Sequence, residues 1–193
     1  MDVSWNISIV FASQGTAHGQ IKHRLCSNYK QINQCILKHN FLLPRPEDFM
    51  DLMRDSTFFS VFNLQSANRQ LPLWPEDRAK TAIITSDAQY QFHTIPFGLS
   101  MALQSMQGVM HVLFEDELGK FFGMSVDNLA GHSTNEEEHP EHFWHALMKL
   151  AEAGFLIAVK KCRFFQMSIL YLRPVINSKG ISPHPGNIAA VME

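Results

Sequence analysis

Apolar and polar positions along the 193-residue chain change between the spacing of helices and that of strands. Residues 47–55 begin with acids, have an arginine in the last turn and carry apolar residues at helical spacing, which predicts a short amphipathic helix. An apolar face over residues 99–118 predicts a long helix. A third helix is predicted over about residues 136–153, where Ser133 or Thr134 stands three positions before a glutamate, as in a capping box.

Between these helices, short runs rich in aromatic and β-branched residues predict strands. The run TFFSVFNL, residues 57–64, is apolar enough for a core strand, and residues 121–126 and 129–132 predict the two arms of a hairpin. Other strands are predicted at 7–12, 21–26, 80–86, 90–94, 155–159, 164–167 and 169–172, with a last helical turn at 186–192. This order of elements predicts an α+β fold.

Composition limits the classes of function. A hydrophobic content of 46% supports one substantial core, so we expect a single domain over residues 1–193. The net charge of -2 supplies no overall positive field for a polyanion, so nucleic-acid binding would require a local basic patch. No apolar run approaches the roughly 18 residues of a membrane span. Three widely spaced cysteines predict free thiols in an intracellular protein, in either nucleus or cytoplasm.

One carboxylate stands out in the predicted hairpin. Asp127 lies in GKFFGMSVDNLAGHS, residues 119–133, beside Asn128 in an otherwise apolar or small run. Taken alone, the pair predicts a polar hairpin tip and no chemistry.

Seven segments in the same order resemble the reverse transcriptase domain of gypsy-type long-terminal-repeat retrotransposons, and together they extend over roughly residues 9–192. They are RLCSNYKQIN, LPRPEDFMDLM, FFSVFNLQSANRQLPLWPEDRAKTAI, TIPFGLSMALQSMQGVM, GKFFGMSVDN, EEEHPEHFWHALMKLAEAGFLIAVKKCRFFQ and GISPHPGNIAAV.

The resemblance implies a fingers and palm architecture, with an antiparallel palm sheet packed on helices. The implied fingers cover about residues 9–62 and 72–95. The implied palm covers about residues 63–71 and 96–175, and residues 176–193 begin the following region. The thumb, connection and ribonuclease H regions of the family are expected to be absent or truncated.

The family's palm holds three aspartates that bind two magnesium ions (Mg²⁺) about 4 Å apart for phosphoryl transfer. On this chain the first acid maps to Asn63 and the paired acids map to Asp127 and Asn128. Asp127 is therefore the sole retained acid. An asparagine offers magnesium a neutral oxygen and carries an NH₂ donor, so we expect weak or no metal binding.

The resemblance also implies residues that contact the incoming nucleotide. Arg24 matches the family's triphosphate-contacting arginine, and Phe97 and Gly98 match its PFGL motif. Asn68 stands where the family usually places an aromatic residue that screens the sugar 2′-position. The implied partners are an RNA template, a DNA primer and a deoxynucleoside triphosphate, and no membrane. The oligomeric state is open.

Two classes of function follow from this mapping. The first is a degenerate or domesticated reverse transcriptase domain without catalysis, which acts by binding nucleic acid or a protein partner. The second is an RNA-directed DNA polymerase with residual activity, in which Asn63 and Asn128 serve as neutral ligands beside Asp127. A decayed element without a selected role is a third reading.

A helical metal site is the remaining alternative. His139, His142 and His145 stand three residues apart on the third predicted helix, near Glu136 and Glu138. Zinc-binding helices favour a spacing of four, which keeps two ligands on one face. We therefore predict a surface helix of the family and no zinc site. The residues Met101, Met106, Met110 and Phe97 are predicted to pack in the core.

Overall fold

The computed structural model describes residues 7–15, 21–37, 46–125, 128–171 and 174–183. The chain divides into two compact units. The first unit comprises Met1–Phe41 and Ser66–Met106, and the second comprises Leu42–Gln65 and Gln107–Glu193. Within the described ranges, no helix is long and apolar enough to cross a membrane.

The described residues form helices, strands and three short 3₁₀ turns. The helices are α1 (Lys30–Cys35), α2 (Pro46–Leu52), α3 (Pro75–Arg78), α4 (Ala102–Leu113) and α5 (His139–Glu152). The strands are β1 (Ile9–Gly15), β2 (Ile21–Ser27), β3 (Phe58–Asn63), β4 (Ile83–Ile84), β5 (Gln89–Tyr90), β6 (Phe122–Ser125), β7 (Asn128–Ser133), β8 (Arg163–Gln166), β9 (Ser168–Leu170), β10 (Val175–Asn177) and β11 (Gly180–Ser182). The 3₁₀ turns are Ala67–Gln70, Ala79–Thr81 and Val159–Lys161.

The first unit is built on two antiparallel hairpins. Strands β1 and β2 pair from Ile9 opposite Ser27 to Gly15 opposite Ile21, and β4 pairs with β5. A small apolar cluster lies beside them, formed by Ile7, Tyr29, Ile32 and Ile83. The α1 helix contributes only Ile32 to the buried members of this cluster.

The second unit is built on a four-stranded antiparallel sheet in the order β6-β7-β3-β8. Successive residues of a strand point to opposite faces. Along β3, Phe59 and Val61 join a cluster with Phe49 of α2, while Phe62 stacks on Phe143 of α5 at 5.5 Å on the other face. Both faces of β3 are therefore covered, which explains why its sequence is a continuous apolar run. A second sheet of three strands, in the order β9-β10-β11, completes the unit.

The α+β prediction is confirmed, and the three predicted helices, the core strand and the hairpin are all present. The prediction of a strand over residues 155–159 is wrong, because this segment makes only a single bridge, from Ile157 to Leu64, before the 3₁₀ turn at Val159–Lys161. The helical turn predicted at residues 186–192 lies outside the described residues. The division into fingers and palm stays a prediction.

The predicted capping box is also wrong. Helix α5 begins at His139, and its N-cap residue Glu138 makes no side-chain hydrogen bond to the helix. Pro140 stands in the first turn, where the missing N–H costs nothing. The hydroxyl of Ser133 contacts His139 and His142 instead of capping the helix.

Candidate active site

Two asparagine side chains meet where the central strands of the second unit end. Asn63 is the last residue of β3 and Asn128 the first of β7, and the antiparallel register places them directly opposite each other. Directly opposed side chains lie on the same face of a sheet. The Nδ2 amide of Asn63 donates a hydrogen bond to Oδ1 of Asn128 at 2.9 Å. Two of the three positions mapped to the family's acids are thus in contact.

The backbone of Asn63 is fixed by the segment that follows α5. The N–H of Ala158 donates to the carbonyl oxygen of Asn63 at 2.7 Å. The N–H of Asn63 donates to the sulfur of Cys162 at 3.3 Å, and that cysteine is buried. These contacts were not predicted. The only signal for them in the sequence is Cys162 itself, which is a free thiol as predicted.

The amide pair is electrically neutral. Two carboxylates in the same geometry would repel each other unless a cation or a shared proton lay between them. The two amides instead satisfy part of each other's hydrogen-bonding capacity without any ion. Both side chains are half-buried, so water reaches their remaining polar atoms.

The sole retained acid, Asp127, lies outside the described residues, as does Val126. The hairpin is described up to the pair formed by Ser125 and Asn128.

The residues predicted to contact a nucleotide belong to the first unit. Gly98 has φ +101, a backbone conformation that favours glycine, and the Asn33 side chain holds its loop at two points. The Asn33 amide donates to the Gly98 carbonyl oxygen at 2.8 Å, and its own oxygen accepts from the N–H of Ser100 at 2.8 Å. Arg24 lies on β2 opposite Ala12, with its side chain outside the described part of the structure.

The prediction that Phe97 packs in the core is wrong, because its side chain is 43% exposed. The guanidinium carbon of Arg69 lies 5.3 Å from the centre of the Phe97 ring, at cation–π distance. Asn68 is half-buried in the 3₁₀ turn Ala67–Gln70. The prediction of core packing is confirmed for Met106 and Met110, both almost fully buried.

The three histidines of α5 have separate partners. His139 is fully buried, so the surface-helix prediction is wrong at this position. Its Nε2 lies 2.8 Å from Oγ of Ser60, and its Nδ1 lies 2.9 Å from Oγ of Ser133. Ser60, a polar residue inside the apolar run of β3, was the signal for a buried partner. Among the described residues, no group of three histidines, cysteines or acids could hold a metal ion.

His145 is part of an ion-paired group. Its Nε2 and the Nζ of Lys149 each lie 2.7 Å from Oε1 of Glu117, whose side chain is almost fully buried. Burial raises the pKa of Glu117, but the hydrogen bonds from Lys149 and His145 outweigh it and leave that pKa below its usual value. This group connects α5 to the turn that follows α4.

Burial also changes the protonation of two histidines near the sheet. It lowers the pKa of His139 to about 4, with a smaller contribution from the charge of His142. Burial likewise lowers the pKa of His132, on β7, to about 4, with contributions from His142 and His139. Both side chains are therefore neutral at pH 7 in the folded protein.

The fold defines the class of protein. The foamy viral protease-reverse transcriptase in complex with an RNA/DNA hybrid superimposes on 97% of this chain and 25% of that chain, with a TM-score of 0.81 and 15% identity. The foamy viral protease-reverse transcriptase dRH in complex with double-stranded DNA gives a TM-score of 0.83 at 16% identity, over 97% of this chain and 32% of that one. The fold is that of a reverse transcriptase.

The sequence comparisons define the family. The family model for reverse transcriptase (RNA-dependent DNA polymerase) matches residues 17–173, so the chain belongs to the reverse transcriptase family. Members of this family generally depend on Mg²⁺. The retrotransposon resemblance is confirmed by curated relatives.

The chain spans only part of each relative. The Pol polyprotein from transposon gypsy of Drosophila melanogaster is 27% identical over 95% of this chain and 18% of its own length. The Pol polyprotein from transposon 412 of Drosophila melanogaster is 30% identical over 84% of this chain and 13% of its own length. The enzymatic polyprotein of cauliflower mosaic virus (strain CM-1841) is 31% identical over 78% of this chain and 22% of its own length.

Proposed function

We propose that this chain is a degenerate reverse transcriptase domain in which the two-metal polymerase reaction is lost or strongly impaired. The observation that carries the proposal is the hydrogen bond from Asn63 to Asn128 at 2.9 Å. The bond joins two positions that map to metal-binding acids of the family, and there the hydrogen-bonding partner of each side chain is a neutral amide instead of a cation.

The donor set does not fit a pair of magnesium ions. Magnesium selects hard, charged oxygen ligands in near-octahedral geometry. The Asn63 side chain turns an N–H toward its neighbour, and one lone pair of the Asn128 oxygen is already used by that N–H. Replacing two acids by amides leaves Asp127 as one negative charge against the four positive charges of two magnesium ions. Weak or absent metal binding follows from this charge deficit.

Primer extension tests the proposal. Purified protein is given an RNA template, an annealed DNA primer and all four deoxynucleoside triphosphates with magnesium, and separately with manganese. The Asp127→Ala variant, which lacks the last acid, is the matched control. Equal extension by the two proteins supports the loss of chemistry. Extension by the wild type clearly above Asp127→Ala would instead favour the alternative of residual polymerase activity.

A second candidate function is nucleic-acid binding without catalysis. The exposed Arg69–Phe97 pair of the first unit favours it, because an arginine beside an exposed aromatic ring can stack on a base and contact a phosphate. Structures of the foamy viral relative contain an RNA/DNA hybrid or double-stranded DNA.

Fluorescence anisotropy with a labelled RNA/DNA hybrid at low and moderate salt tests this binding. We expect the double variant Arg69→Ala/Phe97→Ala to lose affinity about 10-fold or more, since one stacked base is worth roughly 1–3 kcal/mol. Trp74→Ala, at an exposed aromatic of the same unit, is the matched control. Equal affinity of the wild type and the double variant would contradict this interface.

A further inference from the structure

Helix α5 contacts the four-stranded sheet through a continuous chain of short polar contacts. The N–H of Phe165 on β8 donates to Oγ of Ser60 on β3 at 3.1 Å. From Ser60 the chain continues to Nε2 of His139 at 2.8 Å. It then runs from Nδ1 of His139 to Oγ of Ser133 at 2.9 Å, and from there to Nδ1 of His142 at 2.8 Å. The contacts join three elements of the sheet to α5.

Ser60, at the buried end of this series of hydrogen bonds, fixes the direction of every bond in it. Ser60 is fully buried and accepts from the Phe165 N–H, so its own proton needs an acceptor within the protein. Nε2 of His139 is that acceptor, which places the proton of neutral His139 on Nδ1. That N–H donates to Ser133, and the Ser133 hydroxyl donates to Nδ1 of His142. In this arrangement every member of the chain is satisfied.

A proton added to either histidine breaks the arrangement. A charged His142 donates from Nδ1, so the Ser133 hydroxyl has to turn toward His139. His139 then carries its proton on Nε2 and donates to Ser60, and the Ser60 hydroxyl is left without an acceptor. A proton on His139 has the same effect on Ser60 directly. A buried hydroxyl without a partner is costly.

The surrounding groups do not offset that cost. His139 is faced by the rings of Phe58 on β3 and Phe165 on β8. The titratable groups coupled to it electrostatically are His142 on α5 and His132 on β7.

His142 is half-buried and stacks on Phe121 at 4.0 Å, with the rings 6° from parallel. Phe121 also contacts His145, whose partner is the carboxylate of Glu117. The carboxylate of Glu138, beside His139 in sequence, accepts from Asn135.

We propose that this series of hydrogen bonds is a proton-sensitive contact. It holds α5 on the sheet while the Ser133 hydroxyl donates to His142, and a proton added at Nδ1 of His142 reverses the bond directions and leaves the Ser60 hydroxyl without an acceptor. Acid then weakens the packing of α5 on the sheet whose β3 and β7 strands carry Asn63 and Asn128.

Nuclear magnetic resonance of the ring nitrogens tests the bond directions in the wild type. At pH 7 we expect His139 in the neutral Nδ1–H form and a hydrogen bond from the Ser133 hydroxyl to Nδ1 of His142. The Nε2–H form of His139, or a hydrogen bond donated by Nδ1 of His142 to Ser133, would overturn the proposal. This measurement needs no variant, so it decides the question even if a substitution prevents folding.

Urea unfolding of a Ser60→Ala variant at pH 7 and pH 5 tests the coupling. Ser60 contacts His142 only through His139 and Ser133 in this series of hydrogen bonds, yet its removal leaves no buried Ser60 hydroxyl to lose its acceptor. We expect the variant to lose less stability on acidification than the wild type does. Ser168→Ala, at an exposed serine of β9, should follow the wild type. Equal losses on acidification in Ser60→Ala and the wild type would overturn the coupling.

Discussion

Restoring acids at the paired asparagines should destabilise the fold, and the effect should appear only when both are changed. In Asn63→Asp or Asn128→Asp alone, the remaining amide donates to the new carboxylate. A hydrogen bond to a charged acceptor is at least as strong as the neutral bond that it replaces. We therefore expect each single variant to unfold within about 1 kcal/mol of the wild type.

The double variant places two carboxylates where an amide and an oxygen are now 2.9 Å apart. If they relax to about 4 Å, their repulsion is about 1 kcal/mol with the dielectric constant of water and about 4 kcal/mol with the value typical of a protein surface. The lost hydrogen bond adds about 0.5–1.5 kcal/mol. The coupling free energy should therefore be about 2–5 kcal/mol, destabilising, at pH 8.

Urea unfolding of the wild type, both single variants and the double variant at pH 8 and pH 5, without divalent metal, measures this coupling. Repulsion between like charges raises the pKa of one carboxyl, so a shared proton should reduce the coupling at pH 5. As a control, Asn63→Asp combined with Asn177→Asp, at a residue of the other sheet, should be additive within about 0.5 kcal/mol. A coupling near zero at pH 8 would refute the direct contact between the two side chains.

Three further predictions concern the second unit. In Gly123→Ala the new Cβ would lie 1.7 Å from a ring carbon of buried Phe49, so we expect the free energy of unfolding in urea to fall by about 1–3 kcal/mol. In Gly131→Ala the nearest atom to the new Cβ is 3.7 Å away, so the free energy of unfolding should change by less than about 0.5 kcal/mol. Equal effects of these two substitutions would contradict the packing. Glu117→Gln removes the charged acceptor shared by Lys149 and His145 and should cost about 1.5–3 kcal/mol on urea unfolding at pH 7, whereas an unchanged stability would show that this acceptor contributes nothing. The pKa of His132 is lowered from 6.5 to about 4 in the folded state, so the folded protein takes up this proton less readily than the unfolded chain does. The stabilisation from neutral His132 is fully present above pH 6.5, and the free energy of unfolding should fall by about 3 kcal/mol as the pH falls to 4. Unfolding of a His132→Phe variant over the same range should show a shallower fall, and an identical pH profile would contradict this.

The backbone around the candidate site was predictable because local pattern and burial agree there. The run from Phe58 to Asn63 is apolar on both faces, as a covered strand requires, and its last residue is polar. The hairpin arms followed from their composition. The prediction placed Asn63 within the core strand and Asn128 between the two arms of the hairpin, and the structure makes them the last residue of β3 and the first residue of β7.

What could not be predicted depends on contacts distant in sequence. The contact between the two amides depends on the register between β3 and β7, which pairs residues 65 positions apart in sequence. Helix α1 has no apolar face, since only Ile32 is buried, so its position depends on tertiary packing. Histidine spacing along α5 contains no information about Ser60, which lies 79 residues before His139. The burial of that histidine was missed for this reason.

The central claim is that the replacement of two acids by Asn63 and Asn128 removes the negative charge needed for two-metal chemistry. Single-nucleotide incorporation with magnesium, by the wild type and by Asn63→Asp/Asn128→Asp, tests it most directly. We predict that the wild type stays at the level of Asp127→Ala and that the double variant incorporates nucleotide above it. Incorporation by the wild type above the Asp127→Ala level would contradict the account.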